Sequence, residues 1–408
     1  MHPMAKPNLP KLLDQLAALV AEPSVSSTKA EFDQSNRRVI DLLAEWLEDL
    51  GFEIQIQAVD EVNQKFNLIA RFKQIHAPDN AGLVLSGHTD TVPYDAHLWD
   101  SDPLLLTEKD NQLYGLGTCD MKGFFALCLQ ALVDLDLNTL NQPLTLLATC
   151  DEESTMSGAR ILEQQFGQFA VIGEPTGLKP IRLHKGIMME AIRVQGKAAH
   201  SSNPALGHNA LEALHGVMTE ILAFRQSLAE RYQNPYFDVA IPTLNLGCLH
   251  AGDNPNRICS QGELQFDLRP IPGMDINALR EEIRKRLLPL EKPYGVTFEF
   301  ITLSDGIPPF ETAADAKLVK LTESLTQTEA GAVCFATEGP FLQRLGMETV
   351  IMGPGSIDQA HQPNEFLALD QIKPGIAALQ GLIHQLCIVE RVESKKADPS
   401  KTSRDQHG

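Results

Sequence analysis

Leu83-Val84-Leu85-Ser86-Gly87-His88-Thr89-Asp90 is the stretch from which the fold can be read: a short apolar run, a glycine, then a histidine with an aspartate two residues on. The run 83–86 has the length and composition of a buried strand, and so do 67–72, 144–150 and 170–172. Between two of these, residues 123–135 form a long apolar helix candidate. Strand, helix, strand in that order predicts an α/β layered core. In open sheets of this kind ligands gather at the carboxyl ends of strands, which is where His88 falls. Further out, segments 11–20 and 35–50 carry apolar residues at helical spacing, the second stopped by Gly51, and predict two opening helices.

From about Gly186 the texture changes. Strand candidates 188–194, 243–249, 262–268 and 296–301 alternate with helix candidates 209–228 and 276–288 in the order β-α-β-β-α-β, that of a ferredoxin-like sandwich. After Ser304 the pattern returns to helix and strand pieces, including 349–352. The predicted organisation is therefore an α/β core in two parts, 1–186 and 303–389, with an inserted α+β domain at 187–302. The tail 390–408 is charged and nearly without large apolar residues, so it is predicted to be disordered.

At 408 residues the chain exceeds one ordinary core, and 43% hydrophobic with 21% charged residues is a globular composition. Acidic residues outnumber basic ones 53 to 34, a formal net charge of −19, so a nucleic-acid partner is not expected. No apolar stretch approaches the ~20 residues of a membrane span and no apolar signal region opens the chain, so no membrane partner is expected. Seven cysteines without paired spacing favour a reducing, cytoplasmic location.

The chemistry-bearing residues follow the strand candidates. After His88 and Asp90, whose carboxylate would support the histidine as a metal ligand, comes Asp120 in Gly115-Leu116-Gly117-Thr118-Cys119-Asp120-Met121-Lys122-Gly123. A carboxylate there can give one oxygen to each of two cations. Asp151-Glu152-Glu153 follows the run 144–150, and adjacent glutamates point in different directions, so one can ligate while the other acts as general base on the attacking water. Glu174, in Gly173-Glu174-Pro175-Thr176, and His361, in Asp358-Gln359-Ala360-His361-Gln362-Pro363-Asn364-Glu365, complete the set. Singly these residues have plainer readings: a helix cap for Asp120, an acidic turn for the glutamates, loop residues for the rest. Together, His88, Asp120, Glu153, Glu174 and His361 make two sites of nitrogen and oxygen donors sharing one carboxylate. Such donors without thiolate suit zinc, cobalt or manganese, with zinc preferred and cobalt admitted.

These motifs resemble the aminoacylase and carboxypeptidase family of co-catalytic zinc hydrolases, more closely its acetylornithine deacetylase members. The discriminating stretches are 115–123, 173–176, His184-Lys185-Gly186, Asn254-Pro255-Asn256-Arg257 and 353–363. The resemblance implies a mixed-sheet catalytic core with a ferredoxin-like lid that also serves dimerisation, hence a homodimer. It also implies two Zn²⁺ per subunit (Co²⁺ admitted), Asp120 bridging, Asp90 supporting His88, Glu152 as general base and a cis peptide after Asp120. His200, in Ala198-Ala199-His200-Ser201-Ser202, resembles the histidine that crosses to the partner's active site. The implied reaction is hydrolysis of N2-acetyl-L-ornithine in arginine biosynthesis, on a small acyl-amino acid substrate. For that substrate, Arg269 and Asn256 are candidates to hold the α-carboxylate and Glu338 the terminal ammonium. The same fold and metals would serve succinyl-diaminopimelate, acetyl-citrulline or a dipeptide, or, without turnover, a binding module.

Overall fold

Strands Leu144–Thr149, Leu83–His88 and Phe169–Pro175 are buried at every residue, which is why they read as unbroken apolar runs. In the computed structural model, which describes residues 9–73, 77–78 and 80–388, they lie side by side and parallel. Leu85 is paired with Leu146 on one side and Val171 on the other. The tail predicted to be disordered lies outside the described residues.

Among the described residues these strands form the centre of a nine-stranded sheet. Its order is Glu53–Asp60, Lys65–Phe72, Leu144–Thr149, Leu83–His88, Phe169–Pro175, Glu348–Gly353, Ile181–His184 and Phe310–Glu311, with Gly331–Val333 pairing Ile181–His184. Lys65–Phe72 runs antiparallel to both of its neighbours, Glu53–Asp60 and Leu144–Thr149, so the sheet is mixed. Helix Lys122–Val133 is apolar on all sides because it is covered on all sides: it packs on Leu83–His88, on Leu12–Ala21 and on Ile372–Cys387. Phe125, Leu127 and Leu129 in it are fully buried, each contributing about 1.5–3 kcal/mol of apolar burial.

The inserted region folds around its own core. Its strands are ordered Thr243–Ala251, Gln261–Arg269, Met188–Gln195, Thr297–Thr302, all antiparallel. Every second residue of Gln261–Arg269 is buried, against helices Ala210–Arg231 and Ile276–Leu287, so one face of the sheet is covered. This is the ferredoxin-like arrangement predicted by the element order. The His184-Lys185-Gly186 motif lies where the two cores meet. The Lys185 ammonium donates to the carbonyls of Val239 and Ile241, both at 2.8 Å, and the Arg182 guanidinium stands 4.3 Å from the Tyr236 ring centroid.

Several elements were not predicted, Ile181–His184 among them. Strand Glu53–Asp60 has no buried residue and so no apolar run. Helix Ile372–Cys387 was not separated from its surroundings. The small sheet of Thr107–Lys109, Gln112–Tyr114 and Phe366–Ala368 is built from three-residue pieces too short to carry a periodicity.

Candidate active site

Four strands that are neighbours in the sheet, Leu144–Thr149, Leu83–His88, Phe169–Pro175 and Glu348–Gly353, run parallel and deliver their residues at the same end. His88 is the last residue of its strand, Asp151-Glu152-Glu153 follow theirs, and His361 comes from the loop after Gly353. Glu174 was expected past its strand, with Pro175 fixing a turn. Instead the strand continues through Pro175, and Glu174 is a buried strand residue. The strand approaches helix Lys122–Val133 closely here: a Cβ at Gly173 would stand 2.1 Å from the Phe124 ring. Gly173→Ala is therefore expected to displace Glu174's strand and destabilise the protein by about 1–3 kcal/mol, the usual range for overpacking. Urea unfolding of the variant measures it; an unchanged midpoint would show that the contact yields freely.

Asp120 stands just before helix Lys122–Val133, and the Asp120-Met121 bond that follows it is cis. Its two oxygens divide, Oδ1 lying 3.0 Å from His88 Nε2 and Oδ2 3.5 Å from His361 Nε2. His361 Nε2 is also 3.0 Å from the Glu153 carboxylate, and His88 Nε2 is 3.9 Å from Glu174 Oε1. Two triads of donor atoms, His88 with Glu152 and Glu174, and His88 with Asp120 and Glu153, each fall within 4.8 Å of one another.

The loop carrying the glutamates is fixed from below by Asp151, which has φ of +58°. Its carboxylate receives the Ser26 hydroxyl at 2.9 Å, the Ser157 hydroxyl at 2.7 Å and the buried Lys65 ammonium at 3.0 Å. Asp90 acts differently from expectation. His88 Nδ1 lies 3.0 Å from the Asp90 backbone carbonyl and 3.7 Å from its carboxylate. The carbonyl therefore fixes the tautomer that leaves Nε2 free to ligate. The Asp90 carboxylate instead accepts the Glu153 N–H at 3.1 Å, tying the glutamate loop to the histidine strand.

Without cations this is a cluster of like charges. Burial and then the charge of Glu174 hold the Glu152 carboxyl well above its ordinary value, and burial does the same to Glu174. Burial alone would lower the His88 imidazole, but the hydrogen bond to Asp120 and the surrounding carboxylates hold it well above its usual range. Hydrogen bonds to Asp120 and Glu153 push His361 up to about 10. Glu174 Oε1 and Asp90 Oδ1 are buried without a hydrogen-bond partner. Positive charge at the centre answers all of these at once, and the donors are those that divalent cations take. The residues fit a two-metal centre.

One functional residue escaped the sequence reading. Glu365 is buried, and its Oε1 accepts the N–H groups of Cys119 at 2.8 Å and Asp120 at 3.0 Å, its Oε2 that of Gly117 at 3.0 Å. Its carbonyl accepts the Gly115 N–H. The segment that presents Asp120 is thus wrapped around one carboxylate. Gly117, with φ of +80°, makes the turn.

The structure does not bring all expected residues to the cluster. His200 and Asn256 meet each other in the inserted domain, where Ser201 N–H donates to the Asn256 carbonyl and His200 bridges Arg257. Both are exposed, and the His200 ring contacts Ser202. Arg269 pairs with Asp267 at 2.9 Å within its own strand. Glu338, at the start of helix Gly339–Arg344, does lie beside the cluster, where its charge acts on Glu152 and Glu174, but it is fully buried, its carboxyl pushed up to about 7, mainly by burial. The expected contact with a substrate ammonium therefore does not fit: Glu338 offers no exposed surface to touch. Beside His361 a small pocket of about 140 Å³ is walled by Val92, Tyr94, Trp99, Leu116 and Pro363.

No helix among the described residues is long and apolar enough to cross a membrane. The acetylornithine deacetylase of Klebsiella pneumoniae (strain 342) is 47% identical over 385 residues, 94% of this chain and 99% of that protein. That of Edwardsiella ictaluri (strain 93-146) is 46% identical over 382 residues, 93% and 98% of the two chains. An aminopeptidase from Bacillus cereus has the same fold, with a TM-score of 0.72 at 17% identity over 92% of this chain and 98% of its own. A tripeptidase from Staphylococcus aureus follows it at 0.70 and 18% identity over 94% and 99%. The sequence pattern of Peptidase family M20/M25/M40 matches residues 84–385, from the strand that presents His88 to the last helix. With the strand-end cluster inside that span, the chain belongs to peptidase family M20/M25/M40.

Proposed function

We propose that this chain hydrolyses N2-acetyl-L-ornithine to L-ornithine and acetate, a step of arginine biosynthesis, as a two-zinc amidohydrolase. The observation that carries the reaction class is Asp120, one oxygen turned to each of two imidazoles. The substrate rests on relatives named acetylornithine deacetylase, identical at 44–47% over nearly the whole chain. The small pocket beside His361 suits a short acyl group.

His88, Asp120 and Glu174 would hold one cation and Asp120, Glu153 and His361 the other; zinc fits the oxygen and imidazole donors, and cobalt would also be accepted. When bound, the pair acidifies water and polarises the scissile carbonyl. Glu152, the glutamate of the loop not engaged by His361, takes the proton from the attacking water and returns it to the leaving nitrogen. Arg269 and Asn256, both carried by the inserted domain, would receive the α-carboxylate when that domain closes.

His200, exposed on the inserted domain and away from the cluster of its own subunit, would reach the active site of a second subunit in a homodimer and donate to the developing oxyanion. The strand Thr243–Ala251, an open sheet edge with Leu249 exposed, supports pairing through the inserted domain. Residues 1–186 and 303–389 make up the catalytic unit and 187–302 the lid. Seven cysteines without a disulfide support a cytoplasmic setting.

The test is acetate release from N-acetyl-L-ornithine by zinc-loaded protein, beside acetyl-citrulline, acetyl-methionine and succinate release from N-succinyl-diaminopimelate. A kcat/KM for acetyl-ornithine at least about tenfold above the others, or ~1.4 kcal/mol in transition-state binding, is expected. Preference for another substrate would overturn the substrate assignment and leave the metal chemistry standing.

A further inference from the structure

Where the core meets the inserted domain there is a second cleft, of about 540 Å³, lined by none of the cluster residues. Arg160 and Arg344 reach it from the core and Arg280 from helix Ile276–Leu287 of the inserted domain. Both core guanidiniums lie over the ring of Phe341, at 4.9 and 5.9 Å from its centroid. Arg160 donates to the carbonyls of Thr155 and Gly306, and Arg344 to those of Arg160 and Leu162. Neither has a carboxylate within ion-pair distance among the described residues, whereas Arg280 is paired with Glu190 at 2.7 Å. Asp275 and Asp305 are the acidic residues on the cleft. Asp275 accepts the Ala278 N–H as the cap of its helix, and among the described residues neither it nor Asp305 is ion-paired with Arg160 or Arg344.

In a chain of formal net charge −19, three guanidiniums gathered on one cleft are a local concentration of positive groups. Burial, and the like charges of Arg344 and Arg280 against the pull of Asp305, hold the Arg160 guanidinium below its ordinary value. Guanidinium forks match carboxylate and phosphate oxygens two at a time. The volume and the placement at a domain junction are those of small-molecule sites.

We infer that this cleft binds a small oxyanion, a carboxylate or a phosphate, between Arg160 and Arg344 of the core and Arg280 of the inserted domain, with Phe341 against its carbon or ester portion. Bound there, the anion ties the two domains together across the return segment at Gly306. Arg160 ends the segment that begins with the catalytic-loop residues 151–153, and the helix bearing Phe341 and Arg344 begins at buried Glu338. The cleft therefore shares two backbone segments with the catalytic centre.

Zinc-loaded protein is titrated calorimetrically with inorganic phosphate and, separately, with succinate at constant ionic strength. Saturable binding of at least one of them, with Kd near or below ~1 mM, is expected, weakened about tenfold or more by Arg160→Gln and by Arg344→Gln. Arg193→Gln, outside the cleft, is expected to leave it unchanged. Arg344 is exposed, so its variant should melt like the parent without anion and decides the question alone if Arg160→Gln does not fold. Binding of phosphate only identifies a phosphate site, of succinate only a carboxylate site, and of both a general oxyanion site. Absence of saturation for both by ~10 mM, or binding undiminished in Arg344→Gln, would overturn the inference, the latter placing the anion elsewhere.

Discussion

Glu152→Gln is expected to lower kcat about 10²–10⁴-fold, the usual worth of a general base, while metal content stays at the parental level. The amide keeps the shape of the side chain but cannot take a proton. Glu153 is engaged with His361 and anchored to Asp90 through its N–H, so it holds its place as a ligand when its neighbour changes. Removing one negative charge from a cluster in which Glu152 and Glu174 repel each other should leave the melting temperature unchanged or raise it. Steady-state kinetics with metal analysis makes the distinction. A kcat within about tenfold of the parent would remove Glu152 from the proton transfer, and loss of metal together with activity would make it a ligand instead.

The second large effect is at a residue that touches no substrate. Glu365→Ala withdraws the acceptor for three backbone N–H groups around Asp120 at once. Buried donors left unpaired cost about 1–3 kcal/mol each, so a loss of about 3 kcal/mol or more in unfolding free energy is expected. Metal affinity is expected to fall about 10–100-fold, as when outer supports of a metal site are removed. Glu365→Gln gives a sharper reading. Its single carbonyl oxygen can replace Oε1 and keep the Cys119 and Asp120 bonds, but its amide meets the Gly117 N–H, donor against donor. The glutamine variant should therefore fall between parent and alanine in both denaturant midpoint and metal binding. If alanine and glutamine lose stability equally but retain full metal affinity, Glu365 supports the fold without positioning Asp120.

The contrast between Glu365 and Asp120 explains what a sequence can disclose here. His88, Asp120, Glu152, Glu153 and Glu174 are legible because each adjoins a buried run, and burial on both faces writes a strand or helix into the sequence as continuous apolar residues. His361 was reached by its motif, since its own loop has no periodic neighbour. Glu365 serves as an acceptor for main-chain N–H groups more than 240 residues away, as between Glu365 and Gly117 at a separation of 248, and such service leaves no local pattern. Asp90 was read as a partner of His88 and is one, but through its carbonyl; every residue has a carbonyl, so the sequence could not distinguish the two. The domain order was legible because the inserted region alternates β and α elements within its own length, whereas Glu53–Asp60, on an open edge, has no continuous apolar run and shows only the alternation of Ile54, Ile56 and Ala58 with polar residues.

Glu348–Gly353 lies between Phe169–Pro175 and Ile181–His184, two strands that are close in sequence and complete long before it is synthesised. A growing chain thus makes the flanks of a gap first, then an entire second domain, and only afterwards the strand that fills the gap. Until then the inner edges of both flanking strands have unused hydrogen-bonding groups, the condition under which one chain can accept a strand from another. The strand that fills the gap also leads into His361, whose ring meets Glu153 across 208 residues. Closing the sheet and completing the ligand set therefore both wait for residues 348–361. A chain truncated before residue 348 would be both unable to assemble its second ligand set and open to its neighbours.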